Sequence, residues 1–140
     1  MTPQGRLLPG GFFSACVHNT SAPSFGSYSE VCRNPRYTQK TYDSSVDAIL
    51  AFHDREHTMF AYDNEVGLCR KLCNVKAQHP GLRFGIAVYD LDYEDFSDTC
   101  ASINKYGTFS RFYAIRSVLN YFRTKFRRTQ DVQGCRLLIT

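Results

Sequence analysis

Residues 84–100 read Phe-Gly-Ile-Ala-Val-Tyr-Asp-Leu-Asp-Tyr-Glu-Asp-Phe-Ser-Asp-Thr-Cys, an apolar run that ends in a dense group of acidic residues. Five carboxylates fall within nine residues: Asp90, Asp92, Glu94, Asp95 and Asp98. A strand that is apolar on both faces is typical of a buried parallel sheet, and in an α/β barrel the carboxyl ends of the strands face the substrate. The stretch therefore predicts a buried strand over residues 82–89 with a candidate functional site at its end.

Helices are predicted on both sides of this strand. Before it, Asp63 is placed to cap a helix that His79-Pro80-Gly81 ends. The apolar face of this helix holds Val66, Cys69, Leu72 and Cys73. A second helix is predicted to start at Thr108 or Ser110 and to extend to Arg128. Its apolar positions recur at helical spacing: Phe112, Ile115, Val118, Leu119, Phe122 and Phe126. Helix, strand and helix together predict an α/β arrangement.

The first part of the chain carries weaker signals. Residues 7–41 are rich in Gly, Pro, Ser, Asn and Tyr without a sustained period, so a loop with short extended pieces is expected. Two short apolar runs, residues 47–52 and 58–62, flank a polar stretch and predict a hairpin. The four histidines fall in loops or turns and are interpreted as surface residues: His18, His53, His57 and His79.

Composition indicates a globular chain from an oxidising compartment. The 140 residues are 43% hydrophobic and 14% aromatic, which argues against disorder. No run of about 18 apolar residues is present, so no membrane span is expected. Six cysteines and the glycosylation acceptor Asn19 indicate secretion, although the first residues lack the apolar core of a signal peptide. We expect a signal peptide to precede Met1; a cytosolic chain with free thiols is the alternative.

The acidic stretch and its surroundings resemble family 18 glycoside hydrolases, the chitinases and chitinase-like lectins. Gly85, Leu91-Asp92, Glu94-Asp95-Phe96 and Cys100 stand in the order found around the last barrel strand of that family. Tyr89 takes the place of the family's tryptophan, which forms the floor of the sugar site. The resemblance therefore implies that Tyr89 binds substrate.

Three further blocks extend the resemblance over residues 3–128. The segment Phe25-Gly-Ser-Tyr-Ser-Glu-Val-Cys32 resembles the small inserted α+β domain of the family, and Tyr62-Asp63 resembles the start of its seventh helix. Gln4-Gly5-Arg6 resembles the end of its seventh strand. The chain is most similar to the arthropod chitinase-like group.

The resemblance implies the C-terminal fragment of a (β/α)₈ barrel with part of the inserted domain, since a whole barrel needs about 250 residues. Residues 1–62 correspond to the end of the seventh strand and the inserted segment, residues 63–128 to the last βα portion, and residues 129–140 to a tail. The family's catalytic motif, Asp-x-x-Asp-x-Asp-x-Glu, lies on the fourth strand and would precede Met1. We therefore expect binding of chitin or chito-oligosaccharides without hydrolysis, and no cofactor.

An active enzyme is the rival interpretation. Asp90, Asp92 and Glu94 spell the second half of the catalytic motif, which makes Glu94 a candidate general acid in a reaction where the sugar's own N-acetyl oxygen attacks. Ala87 and Tyr89 oppose this placement, because they occupy the positions of the motif's first Asp and of its Gly. We expect no catalytic residue in the chain.

The resemblance also implies a disulfide between Cys32 and Cys100, and it leaves the pairing of Cys16, Cys69, Cys73 and Cys135 open. The cysteine spacing does not match a zinc site, so no metal is expected. The acidic stretch is interpreted as a solvated loop, with a calcium site as the alternative.

The basic second helix leaves two further alternatives to sugar binding. Its excess of Arg and Lys raises nucleic-acid binding as one of them. A net charge of only +4 argues against it, so neither nucleic acid nor membrane is an expected partner. A secreted, disulfide-held interaction module that binds no sugar is the other.

Overall fold

The computed structural model describes residues 26–53, 55 and 58–139. These residues form helices and one small antiparallel sheet, which places the chain in the mixed α+β class. Two compact units divide the chain, Met1–Tyr62 and Asp63–Thr140. Asn19, Cys16 and the Gln4-Gly5-Arg6 block lie outside the described residues.

The first unit contains a short helix, α1 (Tyr28–Arg33), and a three-stranded antiparallel sheet in the order β1-β2-β3. The strands are β1 (Tyr37–Asp43), β2 (Ala48–His53) and β3 (Thr58–Tyr62). The predicted hairpin is confirmed as β2 and β3, in which Ala51 pairs with Phe60. The helix α1 falls in residues 7–41, for which a loop with short extended pieces was expected, and β1 begins within that range and ends at Asp43. β1 belongs to the sheet through its antiparallel pairing with β2, which runs from Tyr37 to Asp43.

The central strand supplies much of this unit's core. Residues 50–53 are all buried, as expected of a strand with neighbours on both sides. His53 is only 1% exposed and lies 5.4 Å from the ring of Tyr37, so its interpretation as a surface residue was wrong. His53 lies in the central strand, where it pairs with Tyr37 of β1 and Thr58 of β3. A histidine ring can pack as an aromatic ring when its environment is apolar.

The second unit is built on two predicted helices, α2 (Glu65–Gln78) and α3 (Ser110–Thr124). The cap of α2 differs from the prediction: the Asn64 side chain accepts a hydrogen bond from Gly67 N at 2.9 Å, whereas Asp63 pairs with Lys71 at 2.8 Å. Asn64 is the better cap because its side chain reaches the third amide of the helix, which has no partner inside it.

Small residues let α2 and α3 approach closely. The core cluster holds Cys69 and Cys73 of α2, Ala114 and Val118 of α3, and Cys135 of a third helix, α4 (Val132–Arg136). Burial, helped by the charge of Glu65, raises the pKa of the Cys69 thiol to about 12. Cys69 is free and inert at neutral pH, because the thiolate is the reactive form.

A disulfide between Cys73 and Cys135 ties α4 to α2, with Cα atoms 5.9 Å apart. This bond confirms the expectation of disulfide bonding and settles one pairing that the sequence left open. Residues 129–139, expected as a tail, therefore pack into the unit: Val132 and Leu138 cover the core cluster. The bond between Cys32 and Cys100 stays a prediction.

The predicted buried strand at residues 82–89 is wrong. These residues form no strand in the described part of the chain, and Leu82, Val88 and Tyr89 are 52%, 41% and 82% exposed. The apolar sequence predicts burial, but a strand exists only when its peptide groups pair with a neighbour. Residues 83–89 have no such neighbour among the described residues.

The apolar face of α3 is also broader than predicted. Ala114 and Val118 are fully buried against α2, whereas Phe112 is 37% exposed and Phe122 meets Phe84 at 5.8 Å between ring centroids. One side of α3 therefore packs on α2 and another faces the segment 82–89. The helix ends at Thr124, and the buried Phe126 follows it.

We expect the Cys73→Ala/Cys135→Ala double variant to lose about 4 kcal/mol of unfolding free energy, because the bond closes a long loop in the unfolded chain. The two residues are 62 positions apart in sequence. Urea unfolding of oxidised wild type and of the double variant measures the difference. A change below about 1 kcal/mol would show that the bond contributes little beyond local packing.

Candidate functional site

The candidate site is the turn after segment 82–89, where the acidic residues begin. The backbone enters a left-handed conformation at Asp90, with φ of 53°, and continues into a single turn of 3₁₀-helix, Leu91–Tyr93. Asp tolerates this conformation better than most residues because its short polar side chain bonds locally. The turn reverses the chain directly after Tyr89, whose ring stays in solvent.

Asp95 anchors the loop from within. Its carboxylate is fully buried and accepts hydrogen bonds from Cys100 N at 2.7 Å, Thr99 N at 2.9 Å and Asn104 Nδ2 at 2.9 Å. Burial alone raises the pKa of Asp95, but these hydrogen bonds outweigh it and hold the pKa below its ordinary value. Asp95 is therefore a structural residue that closes the loop on itself.

Glu94 ties the same loop to the start of α3. It is 5% exposed, accepts a hydrogen bond from Arg111 N at 3.1 Å and forms an ion pair with the guanidinium of Arg111. A carboxylate at a helix N-terminus satisfies amides that have no partner inside the helix and interacts favourably with the helix dipole. α3 needs such a group, because its N-cap, Phe109, offers no side-chain oxygen.

The structure thus separates four of the five acidic residues into two sets, and the fifth, Asp98, is half-buried and accepts a hydrogen bond from Asn104 Nδ2 at 3.1 Å. Glu94 and Asp95 point inward and are engaged, whereas Asp90, Asp92 and Tyr89 are exposed. The three residues of the rival catalytic interpretation, Asp90, Asp92 and Glu94, are therefore divided between solvent and the interior. Across the described residues, no group of three or more His, Cys, Asp or Glu side chains is arranged to hold a metal ion.

Beside the loop lies a groove that the sequence did not predict. It has a volume of about 760 Å³ and is bounded by residues 80–88 on one side and by α3 on the other. Apolar residues of both sides line it, among them Phe84, Ile86 and Val88 of the segment and Ile115, Leu119 and Phe122 of α3. Arg83, Arg116 and Arg123 also line the groove. The helical spacing of Ile115 and Leu119 was the available signal, but it predicted contact with a strand and gave no indication of a gap.

No family model matches the chain, and no curated protein or solved structure matches it either. Among the described residues, no helix has both the length and the apolar character needed to cross a membrane.

We expect Asp95→Asn to destabilise the second unit by roughly 2 kcal/mol at pH 7, because the amide nitrogen cannot accept the bonds that one carboxylate oxygen accepts. The native contribution is complete above the ordinary Asp pKa of about 4 and is lost as the pH falls through the lowered pKa of Asp95. The difference between wild type and variant should therefore shrink below about pH 4.

Chemical denaturation at a series of pH values measures this difference. The exposed Asp92→Asn is the control and should stay within about 0.5 kcal/mol of wild type. Equal effects of the two substitutions would contradict the anchoring role of Asp95.

Proposed function

We propose that residues 63–128 correspond in sequence to the last βα portion of a family 18 glycoside hydrolase-like barrel, and that the chain binds β-1,4-linked N-acetylglucosamine polymers without cleaving them. The proposal combines the motif resemblance with the order of helix α2, apolar segment, acidic turn and helix α3. The disulfide Cys73–Cys135 fits an oxidising compartment, which supports secretion as part of the proposal.

Exposure of Tyr89 is the observation that carries sugar binding. Its side chain is 82% exposed at the end of an apolar segment, and Asp90 and Asp92 are exposed beside it. An aromatic ring offers an apolar face to the C–H face of a pyranose, and carboxylates accept hydrogen bonds from sugar hydroxyls. A large exposed aromatic ring beside carboxylates that accept hydrogen bonds from hydroxyl groups is suited to a sugar ligand.

The contacts of Glu94 support the absence of catalysis. A general acid must reach the leaving oxygen with a proton to give. Both carboxylate oxygens of Glu94 instead receive N–H groups of Arg111, one from the backbone and one from the side chain. Glu94 is thereby assigned to holding the start of α3.

We expect the full chain to be retained on chitin beads, and Tyr89→Ala to weaken retention about tenfold, since an aromatic contact is worth roughly 1.5 kcal/mol. Tyr113→Ala is the matched control, because Tyr113 is an exposed tyrosine on α3 and should bind as wild type does. Equal loss in both variants, or equal retention on cellulose beads, would remove the sugar proposal.

We expect no hydrolysis of an aryl-chitobioside by the full chain at any pH between about 4 and 8, since both oxygens of Glu94, the candidate general acid, already accept N–H groups of Arg111. Hydrolysis that disappears in Glu94→Gln, with unchanged chitin retention, would make Asp92 and Glu94 the catalytic pair and would contradict the binding-only proposal. Thermal unfolding of the same variant separates lost chemistry from lost folding.

A secreted, disulfide-held interaction module is the second candidate. The groove beside α3 favours it, since an open groove with an apolar floor and a charged rim is typical of a surface that binds another chain.

A further inference from the structure

The backbone of residues 83–89 is available for pairing. The chain runs from residue 82 to residue 90 without a turn or bend, and its peptide groups in 83–89 form no hydrogen bond with any described residue. Unpaired N–H and C=O groups in a row act as a template for an added strand. One wall of the groove is therefore a segment whose peptide groups are unpaired with respect to the described residues.

The floor of the groove is wider than the segment that covers it. A helix with its side chains is about 10 Å across, whereas neighbouring strands lie about 4.8 Å apart. One strand-like segment thus covers only about half of a helix face. On α3 this leaves Phe112 37% exposed, and Ile115 and Leu119 line the open groove. The uncovered half has room for one more strand.

The rim of the groove is basic and not neutralised. Arg83, Arg116 and Arg123 are exposed, and none of them forms a hydrogen bond or ion pair with another described residue through its side chain. None of the described residues that line the groove is acidic. Three guanidinium groups around an apolar floor favour a ligand that carries carboxylates along an apolar face.

We propose that this groove binds an extended peptide of another protein in which apolar and acidic residues alternate. The peptide lies beside residues 83–89 as an added strand, places its apolar side chains on α3, and presents its carboxylates to Arg83, Arg116 and Arg123. Strand addition of this kind takes affinity from main-chain hydrogen bonds and specificity from alternate side chains. Pairing with the same segment of a second copy is disfavoured, because residues 82–89 contain Arg83 and no acid, so two basic grooves would meet.

The experiment titrates the full chain by calorimetry in about 0.1 M salt, where screening still permits charge recognition. Two peptides with blocked ends serve as probes, Glu-Val-Glu-Val-Glu-Val-Glu and its counterpart with Lys in place of Glu. We expect the acidic peptide to bind at least tenfold more tightly than the basic one, on the order of two ion pairs. Equal affinities would overturn the charge argument and with it the proposal.

Backbone pairing is tested with two N-methylated forms of the acidic peptide. Methylation of every Val amide blocks the donors along one edge of the strand, and methylation of every Glu amide blocks those along the other edge. Only one edge meets residues 83–89, so we expect one form to lose binding and the other to keep it. Two forms with the same affinity would overturn strand addition.

Protein variants locate the site. Arg83→Glu/Arg123→Glu should weaken the acidic peptide at least tenfold and strengthen the basic one, by reversal of about two ion pairs. Lys125→Glu/Arg128→Glu is the matched control, because it makes the same change in net charge outside the groove lining and should alter affinity less than about threefold. Equal effects of the two pairs would overturn the proposal. So would self-association that the groove variant abolishes, because a second copy would then be the occupant.

Discussion

Residues 83–89 have the composition of a buried strand and, within the described part of the chain, no strand to pair with. This mismatch governs the second unit. Apolar side chains on one side of the segment rest on α3, as the contact between Phe84 and Phe122 shows. The peptide groups of residues 83–89 form no hydrogen bond with the rest of the described chain, whereas a sheet would pair them. The groove and the exposed Tyr89 both lie along or at the end of this segment.

The acidic loop is held by a different means, through buried carboxylates. Asp95 accepts hydrogen bonds from the amides of Thr99 and Cys100, and Glu94 accepts one from the amide of Arg111 in the first turn of α3. Because both carboxylates bond to backbone groups, they fix the path of the chain. The position of this acidic loop determines where the segment 83–89 ends. Tyr89 is therefore placed by two groups that touch neither its ring nor a ligand.

Local patterns predicted the parts of the fold that depend on local interactions. The spacing of Cys69 and Cys73 gave α2, that of Val118 and Phe122 gave α3, and two apolar runs gave the hairpin of β2 and β3. Patterns failed where partners distant in sequence decide. β1 is a polar edge strand that exists through its pairing with β2, and the segment 82–89 lacks a partner in the described residues. Composition alone predicts neither the pairing of β1 with β2 nor the lack of a described partner for residues 82–89.

The candidate site was predictable in position and not in the roles of its residues. Five carboxylates at the end of an apolar run marked the place, but sequence could not say that Arg111, 17 positions after Glu94, would occupy that carboxylate. Nor could it separate Asp95 from its exposed neighbours, because burial depends on the turn that Asp90 makes. The disulfide Cys73–Cys135 was open for the same reason, since loop closure over 62 residues leaves no local mark.

The two proposed activities share a physical link through the same free segment. The peptide groups of residues 83–89 form no hydrogen bond with described residues, so the proposed sugar that stacks on Tyr89 would have to fix this segment on binding. An added strand beside residues 83–89 removes the same freedom first, so a sugar that binds afterwards loses less entropy. Coupling of this kind acts equally in both directions, so the sugar would strengthen peptide binding by the same factor. If both proposals hold, the groove and the exposed ring would be two sites on one conformational equilibrium, with residues 83–89 as the element that both ligands would order.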